Sequence, residues 1–372
     1  MTLFIGLMSG TSMDGVDGVL ADFPLTGNPI VLAHRHRPYD AALRTELLRL
    51  NQPGDNELHR AALASNAVAR CYAAVVRDLL EAAPGSADAV SAIGAHGQTV
   101  RHRPQQFDGR GYSSQLLNGA LLAELSHIDV VCDLRSRDVA AGGQGAPLVP
   151  AFHAARFGAP DKNVAVLNLG GIANLTLLPR AGRPVTGFDC GPGNVLLDLW
   201  CGQHLGTPLD DGGRWAAGGR VDDRLLACLL NEPFFRQAPP KSSGRDLFSR
   251  AWLEARLAGR QSAVAPQDVQ ATLAELTVVA AVDALAEYGA ATELLQICGG
   301  GAFNDHLMAR LRARLPDLTV STTISAGVPP DQVEALAFAW LAQAFVDRQP
   351  GNLAAVTGAA GPRVLGALYP AD

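Results

Sequence analysis

The sequence predicts an α/β protein of two domains, each built around a mixed or parallel sheet, and three observations carry that expectation. At 372 residues the chain exceeds the size, roughly 250–300 residues, at which a single hydrophobic core stops growing, so two cores with a cleft available between them are expected. Apolar runs of strand length alternate with longer stretches in which Leu, Ala and Val recur at helical spacing. One local pattern also occurs twice. Residues 3–8 read as a buried strand, a Gly/Ser/Thr-rich turn follows at 9–15, and 16–21 read as a second strand; 164–169, Gly170-Gly171 and 172–178 repeat the device in the second half.

Between the two hairpins, 44–50, 58–81 and 115–126 show helical spacing, while 89–95 and 130–134 read as buried strands. Beyond the second hairpin, helices are expected over 195–201, 250–258, 269–288, 304–314 and 332–347. Gly, Pro and charged residues mark loops at 160–163 and 231–244.

With 48% apolar and 18% charged residues, the chain has ample material for a core and no disordered character. A formal charge of -6, with Lys162 and Lys241 as the only lysines, leaves no basic stripe to neutralise a phosphate backbone, so nucleic acid is excluded as a partner. Cys71, Cys132, Cys190, Cys201, Cys228 and Cys298 form no C-x-x-C pair, so neither a zinc site nor a disulfide framework is expected and a reducing cytoplasm fits. No basic segment precedes the apolar stretch 3–8, which Ser9-Gly10-Thr11-Ser12 breaks, so a secretory signal is not expected. The most apolar later stretch, 276–286, carries Asp283 and falls short of the roughly 18 uncharged residues of a membrane span. No membrane partner is expected.

Several motifs bear on chemistry. In Gly10-Thr11-Ser12-Met13-Asp14-Gly15-Val16-Asp17, small residues let backbone N–H groups and two hydroxyls approach an anion; the same residues suit a plain hairpin turn, which Asp-Gly favours by itself. Neither G-x-x-x-x-G-K-S/T nor a strand-anchored G-x-G-x-x-G occurs, so a nucleotide site must be of another kind. Asn168-Leu169-Gly170-Gly171-Ile172-Ala173-Asn174-Leu175-Thr176 again sets polar side chains about a glycine turn. Gly187-Phe188-Asp189-Cys190-Gly191-Pro192-Gly193-Asn194 places a carboxylate just before a bend that opens a helix, which fits a phosphate, a reacting hydroxyl or a capping aspartate. Cys298-Gly299-Gly300-Gly301-Ala302-Phe303-Asn304 permits close backbone approach to a flat ligand, or simply turns a strand into a helix. Ala95-His96-Gly97-Gln98-Thr99-Val100 offers an imidazole, an amide and a hydroxyl to sugar hydroxyls at what reads as a strand end. His34 and His36 share a strand face, yet no third ligand is evident, so a solvated edge is preferred to a metal site.

Taken in order, these motifs resemble the anhydro-N-acetylmuramic acid kinase family over essentially the whole chain. The likeness rests on 6–17, 94–99, Asp133-Leu134-Arg135, 142–148, 168–176, 187–194, Lys241-Ser242-Ser243-Gly244-Arg245, 299–304 and Glu334-Ala335, and Cys190 stands where the family more often has Thr. An ordered series of this kind is far more specific than any one match. The resemblance implies a two-domain actin/hexokinase-like (ribonuclease H-like) fold, with 1–140 as the N-terminal lobe, joined by the C-terminal tail, and 141–372 as the C-terminal lobe. It implies ATP and Mg²⁺, with the nucleotide along Gly10, Thr11, Ser12, Met13, Asp14, Gly15, Val16 and Asp17 and at Asn168, Gly170, Gly171, Gly191, Gly193, Asn194, Gly299, Gly300 and Gly301. Asp189 falls where the family has its catalytic base, and His96, Gln98 and Glu334 are expected to meet the sugar. The implied activity is ATP-dependent opening of the anhydro ring of 1,6-anhydro-N-acetylmuramic acid with phosphorylation of O6, in cell-wall recycling. The implied partner is thus a small-molecule sugar, and a homodimer is compatible with the sequence. A phosphohydrolase of the same superfamily would use the same loops without a sugar acceptor. An ATP-independent glycosidase would use Asp189 with a second acid.

Overall fold

Among the described residues the strands are β1 (Leu3–Ser9), β2 (Gly15–Asp22), β3 (Ile30–Pro38), β4 (Val90–Pro104), β5 (Gly111–Leu116), β6 (Val130–Cys132), β7 (Val164–Leu169), β8 (Ile172–Leu178), β9 (Thr186–Pro192), β10 (Leu294–Cys298), β11 (Thr319–Thr322) and β12 (Ala367–Tyr369). The computed structural model describes residues 2–25, 27–83, 87–180, 183–244, 247–258 and 263–371. The chain falls into two units, Met1–Phe152 with Gln332–Asp372, and His153–Asp331.

Each unit holds one mixed sheet, ordered β12-β6-β4-β1-β2-β3 with β5 against β4 in the first, and β11-β10-β7-β8-β9 in the second. The two sheets repeat one plan. β1 runs antiparallel to β2 and parallel to β4, and β7 runs antiparallel to β8 and parallel to β10. Each antiparallel hairpin continues into a third strand, β3 or β9, and each parallel neighbour into a further parallel strand, β6 or β11. The central strands are covered on both faces, which is why they read as unbroken apolar runs.

In the first unit, Val68, Tyr72, Val75, Val76 and Leu79 of the helix Glu57–Ala82 join Leu3, Ile5, Leu7, Val16 and Leu20 in one core. On this sheet the helix Val333–Val346 packs backbone to backbone. A Cβ on Gly6 would stand 1.9 Å from the Ala335 carbonyl oxygen, and one on Gly94 would stand 1.9 Å from that of Phe338. Downstream, the buried carboxylate of Asp138 accepts hydrogen bonds from Asn352 Nδ2 at 2.6 Å, Thr357 Oγ1 at 2.8 Å and the Gly145 backbone at 2.7 Å. Three polar donors thereby compensate its burial and hold the C-terminal segment to residues 138–145.

The second core centres on the helix Pro266–Tyr288. By length and composition this 23-residue helix could cross a membrane, but 83% of its most apolar window is buried inside the protein. Glu275, 2% exposed on the same helix, is neutralised by Arg310 at 2.8 Å and Arg314 at 2.6 Å.

Some elements differ from expectation. The segment 115–126 is not one helix: β5 ends at Leu116, and the helix Gly119–Ser126 starts after Asn118, whose side chain accepts from Leu121 N at 3.0 Å as its cap. The strand expected at 89–95 runs on to Pro104 because β5 supplies its ladder partners. His96 and Gln98 therefore lie inside β4, not at its end.

The close approach at Gly94 yields a stability prediction. Gly94→Ala should lower the urea midpoint by the equivalent of about 1–3 kcal/mol or more, since a helix carbonyl must retreat from the new methyl group. Gly10→Ala, whose methyl would meet nothing nearer than Ser12 Oγ at 3.6 Å, should stay within about 0.5 kcal/mol of the parent. Equal midpoints for the two variants would mean that the helix does not depend on this contact.

Candidate active site

Strand register brings the polar residues of the second unit together. Asn168 of β7 lies opposite Asn174 of β8, which lies opposite Asp189 of β9. Directly opposed residues of neighbouring strands share a sheet face, so the two amides and the carboxylate form one row. β7 and β10 are parallel, so the turns that follow them, Gly170-Gly171 and Gly299 to Gly301, open at the same edge. Carboxyl ends of parallel strands are where open α/β sheets bind ligands.

Among the described residues, Asp189 accepts a hydrogen bond at one oxygen. The Ser243 backbone N–H donates to Oδ2 at 2.8 Å, and the Asp189 N–H donates to the Lys241 carbonyl at 3.1 Å. Burial pushes the Asp189 carboxyl up to about 7, against the Ser243 N–H and the charge of Lys241, which pull it down. Lys241 is itself buried. Its Nζ donates to the carbonyls of Phe235 at 3.2 Å and Phe234 at 3.4 Å and sits 4.9 Å from the centre of the Phe234 ring. Burial lowers the Lys241 ammonium pKa, while Cys190, Glu287 and Asp189 act to raise it. Cys190 turns away from the carboxylate, its Sγ donating to the Ala173 carbonyl at 3.3 Å, and burial pushes its thiol up to about 12. Arg245 of the 241–245 run lies outside the described residues.

The glycines expected at the nucleotide divide into two sets. At Gly170 and Gly300 in the second unit, and separately at Gly10 in the first, a Cβ would meet nothing nearer than ordinary van der Waals contact, at 3.5, 3.9 and 3.6 Å. Packing does not require glycine at these three positions. Gly191, Gly193 and Gly301 instead face protein atoms at 2.9, 2.2 and 2.5 Å, so they are glycines because the chain packs on itself there. Gly299 takes φ +79° and leaves only 2.3 Å to Asn168 Oδ1. Asn194 Nδ2 donates to the Leu169 carbonyl at 2.9 Å, and the Gly171 carbonyl accepts from Gly193 N at 3.0 Å. Asn168 is 4% exposed, and its Oδ1 has no hydrogen-bond partner, an acceptor that a bound ligand would satisfy.

The first turn, residues 10–17, is more mixed than its sequence suggests. Met13 takes φ +52° and buries its side chain in the core, Val16 is fully buried, and Ser12 Oγ donates to Asp14 Oδ1 at 2.6 Å. Gly15 is required not by a phosphate but by its own sheet, since a Cβ there would stand 2.4 Å from the Arg37 carbonyl oxygen. Asp17 accepts from His36 at 3.0 Å and lies 3.5 Å from His34 Nε2. Burial alone would raise its carboxyl, but those two imidazoles hold it below its ordinary value. His34 and His36 lie on the outermost strand of the sheet, as the preferred solvated edge implies, and there they face the Asp17 carboxylate. Among the described residues no three His, Cys, Asp or Glu side chains are grouped to hold a metal ion.

His96 and Gln98 serve the turn itself. His96 Nδ1 donates to the Ser9 carbonyl at 3.0 Å, while Nε2 accepts from Arg135 Nη2 at 2.8 Å; burial, then the Arg135 charge, pushes the ring down to about 3, so it is neutral. Both ring nitrogens are engaged by protein groups. Gln98 Nε2 donates to the Gly10 carbonyl at 3.0 Å, and its Oε1 is buried without a partner. Glu334 lies in the first turn of its helix and acts electrostatically on Arg135, whose guanidinium burial would otherwise drive down further. Arg135, Asn174 and Ser243 stood in quoted motifs but were not chosen as site residues. Only tertiary pairing reveals their connections.

The family model for anhydro-N-acetylmuramic acid kinase matches residues 2–371. The anhydro-N-acetylmuramic acid kinase of Variovorax paradoxus (strain S110) is 62% identical over 374 residues, covering 99% of each chain. That of Cupriavidus metallidurans (strain CH34) is 60% identical over 371 residues, covering 99% of this chain and 97% of its own. Among solved structures, a ROK family glucokinase from Streptomyces griseus in complex with glucose and AMPPNP aligns over 91% of this chain and 98% of its own at 13% identity and a TM-score of 0.41. With a family match along nearly its whole length and relatives at about three-fifths identity, this chain belongs to the anhydro-N-acetylmuramic acid kinase family.

Proposed function

We propose that this protein, working in the cytoplasm, hydrolytically opens the ring of 1,6-anhydro-N-acetylmuramic acid and phosphorylates O6 with ATP, giving N-acetylmuramic acid 6-phosphate and ADP. The observation that carries the reading is Asp189, a half-buried carboxylate with one oxygen pinned by a backbone N–H and basicity raised to about 7. Such a group can take a proton near neutral pH, the task of a general base.

In the anhydro sugar O6 is bonded to C1, so ring opening must accompany phosphorylation. Asp189 takes a proton from a water molecule, whose oxygen attacks C1. The departing O6 is captured by the γ-phosphorus of ATP, so no separate acid is needed to neutralise it, unlike a glycosidase. In the second unit, the uncrowded backbone at Gly170 and Gly300 and the Asn168 Oδ1, without a partner among the described residues, suit a nucleotide. Mg²⁺, when bound, would neutralise charge on the phosphates, and Asp14 in the first turn is a carboxylate that would help hold it.

ADP should therefore form only when Mg²⁺ and the anhydro sugar are both present, as a coupled ADP assay will show; steady ATP hydrolysis without sugar would instead favour a phosphohydrolase. In ¹⁸O-water, promptly analysed product should carry the label at C1 and none in the phosphate. Label in the phosphate would rule out attack on carbon.

Asp189→Asn should lower kcat by about 10²- to 10⁴-fold while both ligands still bind. For the parent enzyme, kcat/KM should fall as pH drops through about 7, because the base is then protonated. The stability effect has the opposite sense. Folded Asp189 binds its proton more tightly than the unfolded chain does, so stability is lost as pH rises from the ordinary carboxylate range towards 7. Asn escapes that loss, and the variant should melt above the parent at pH 8. An inactive variant that melts lower would point to damaged structure, not a missing base.

A further inference from the structure

The Ser243 side chain is a polar group beside Asp189 that the mechanism above leaves unused. Its Oγ is buried and has no hydrogen-bond partner, although the backbone N–H of the same residue lies 2.8 Å from Asp189 Oδ2. A buried hydroxyl left unpaired costs free energy, so one kept next to a reactive carboxylate points to a partner that arrives with the substrates. Among the described residues, two neighbouring groups are already committed. Lys241 Nζ is turned to the carbonyls of Phe234 and Phe235, and Cys190 Sγ to that of Ala173.

We infer that Ser243 is a further catalytic residue, whose Oγ holds the attacking water jointly with Asp189 Oδ1. The inference rests on Asp189 being the base. The Ser243 N–H pins Oδ2, which leaves Oδ1 with no protein donor among the described residues, and the same residue carries the unpaired Oγ. A water that gives one hydrogen to each keeps a lone pair for C1. As that lone pair forms the new C1–O bond, the hydrogen directed at Asp189 passes to Oδ1 and the C1–O6 bond breaks. The O6 electrons then form the bond to the γ-phosphorus, whose bond to the bridging oxygen breaks to release ADP. The second hydrogen stays on the new C1 hydroxyl, still held by Ser243, and Asp189 later returns its proton to solvent. One residue thus does two things: its backbone orients the base, and its hydroxyl aims the nucleophile.

Ser243→Ala separates those tasks, because it removes the hydroxyl and keeps the N–H. Kinetics on the full-length enzyme with ATP, Mg²⁺ and 1,6-anhydro-N-acetylmuramic acid should show kcat lowered about 10- to 100-fold and KM for ATP within about twofold of the parent. The pH at which kcat/KM falls and the thermal midpoint should both stay unchanged, since neither the pinned carboxylate nor the packing is altered. Ser243→Thr, which keeps a hydroxyl, should recover most of kcat. Full activity in Ser243→Ala overturns the assignment, as does a loss that Thr does not restore or one accompanied by a lower melting point and raised KM for both substrates. Asp189→Asn measured alongside keeps the two readings apart. If it is inactive while Ser243→Ala is fully active, only the role of Ser243 falls; if it is fully active, the base itself is wrong.

Discussion

Backbone meets backbone where the helix Val333–Val346 crosses β1 and β4, and most of the first unit depends on that contact. At Gly6 and Gly94 a Cβ would stand 1.9 Å from a helix carbonyl oxygen, so no other residue admits the helix at this depth. Seated there, the helix lays the Phe338 ring 4.8 Å from His96 and brings Glu334 under the influence of Arg135. The buried ring must be neutral, because a protonated one could not accept from Arg135 at Nε2 while donating from Nδ1 to the Ser9 carbonyl. Ser9 Oγ in turn donates to the Gly97 carbonyl at 3.0 Å, and Gln98 reaches the Gly10 carbonyl at 3.0 Å. A packing contact made by the C-terminal part of the chain is thereby transmitted, bond by bond, to the first glycine turn.

The sequence was most legible where one signal acted alone. The hairpin at 164–169 and 172–178 matches β7 and β8 to the residue, since its apolar strands are bounded by a glycine pair that marks both ends of the turn. The helix at 250–258 is matched as closely. β3 was legible only at His34 and His36, because it is an exposed outer strand whose apolar run, Ile30 to Ala33, is short and gives way to charged residues and histidines. The extension of β4 through residue 104 was equally hidden, for its ladder is provided by β5. Glycine was the least readable residue. The same residue type marks open backbone at Gly10, sheet packing at Gly15 and a helix crossing at Gly94, and only the atoms opposite each one tell them apart.

Recurrence of the hairpin proved to be recurrence of a whole sheet. Both sheets run a three-strand antiparallel meander into parallel neighbours, so each presents a turn at the carboxyl end of its central strand, Gly10 after β1 and Gly170 after β7. The two copies have diverged in what surrounds that turn. In the first unit it is braced by buried side chains, His96, Gln98 and Arg135, whereas in the second it is flanked by the row of Asn168, Asn174 and Asp189. A carboxylate in the second row is conspicuous in sequence because it precedes a glycine-rich bend. Its link to Ser243, 54 residues away, is not.

That link resolves a conflict within the site. A useful base near neutral pH needs a carboxyl well above its ordinary range, and burial raises Asp189 in that direction. Burial without opposition would go too far, since a carboxyl that stays protonated cannot accept a proton from water. The Ser243 N–H and the Lys241 ammonium are the opposing terms, and both come from the short segment 241–243. Lys241 is a costly way to supply charge, because burial works against its own ionisation; the carbonyls of Phe234 and Phe235 and the Phe234 ring offset that cost. The aromatic cluster around Lys241 is therefore more than filling for the core. It holds the Lys241 ammonium, whose charge opposes the rise that burial imposes on the Asp189 carboxyl.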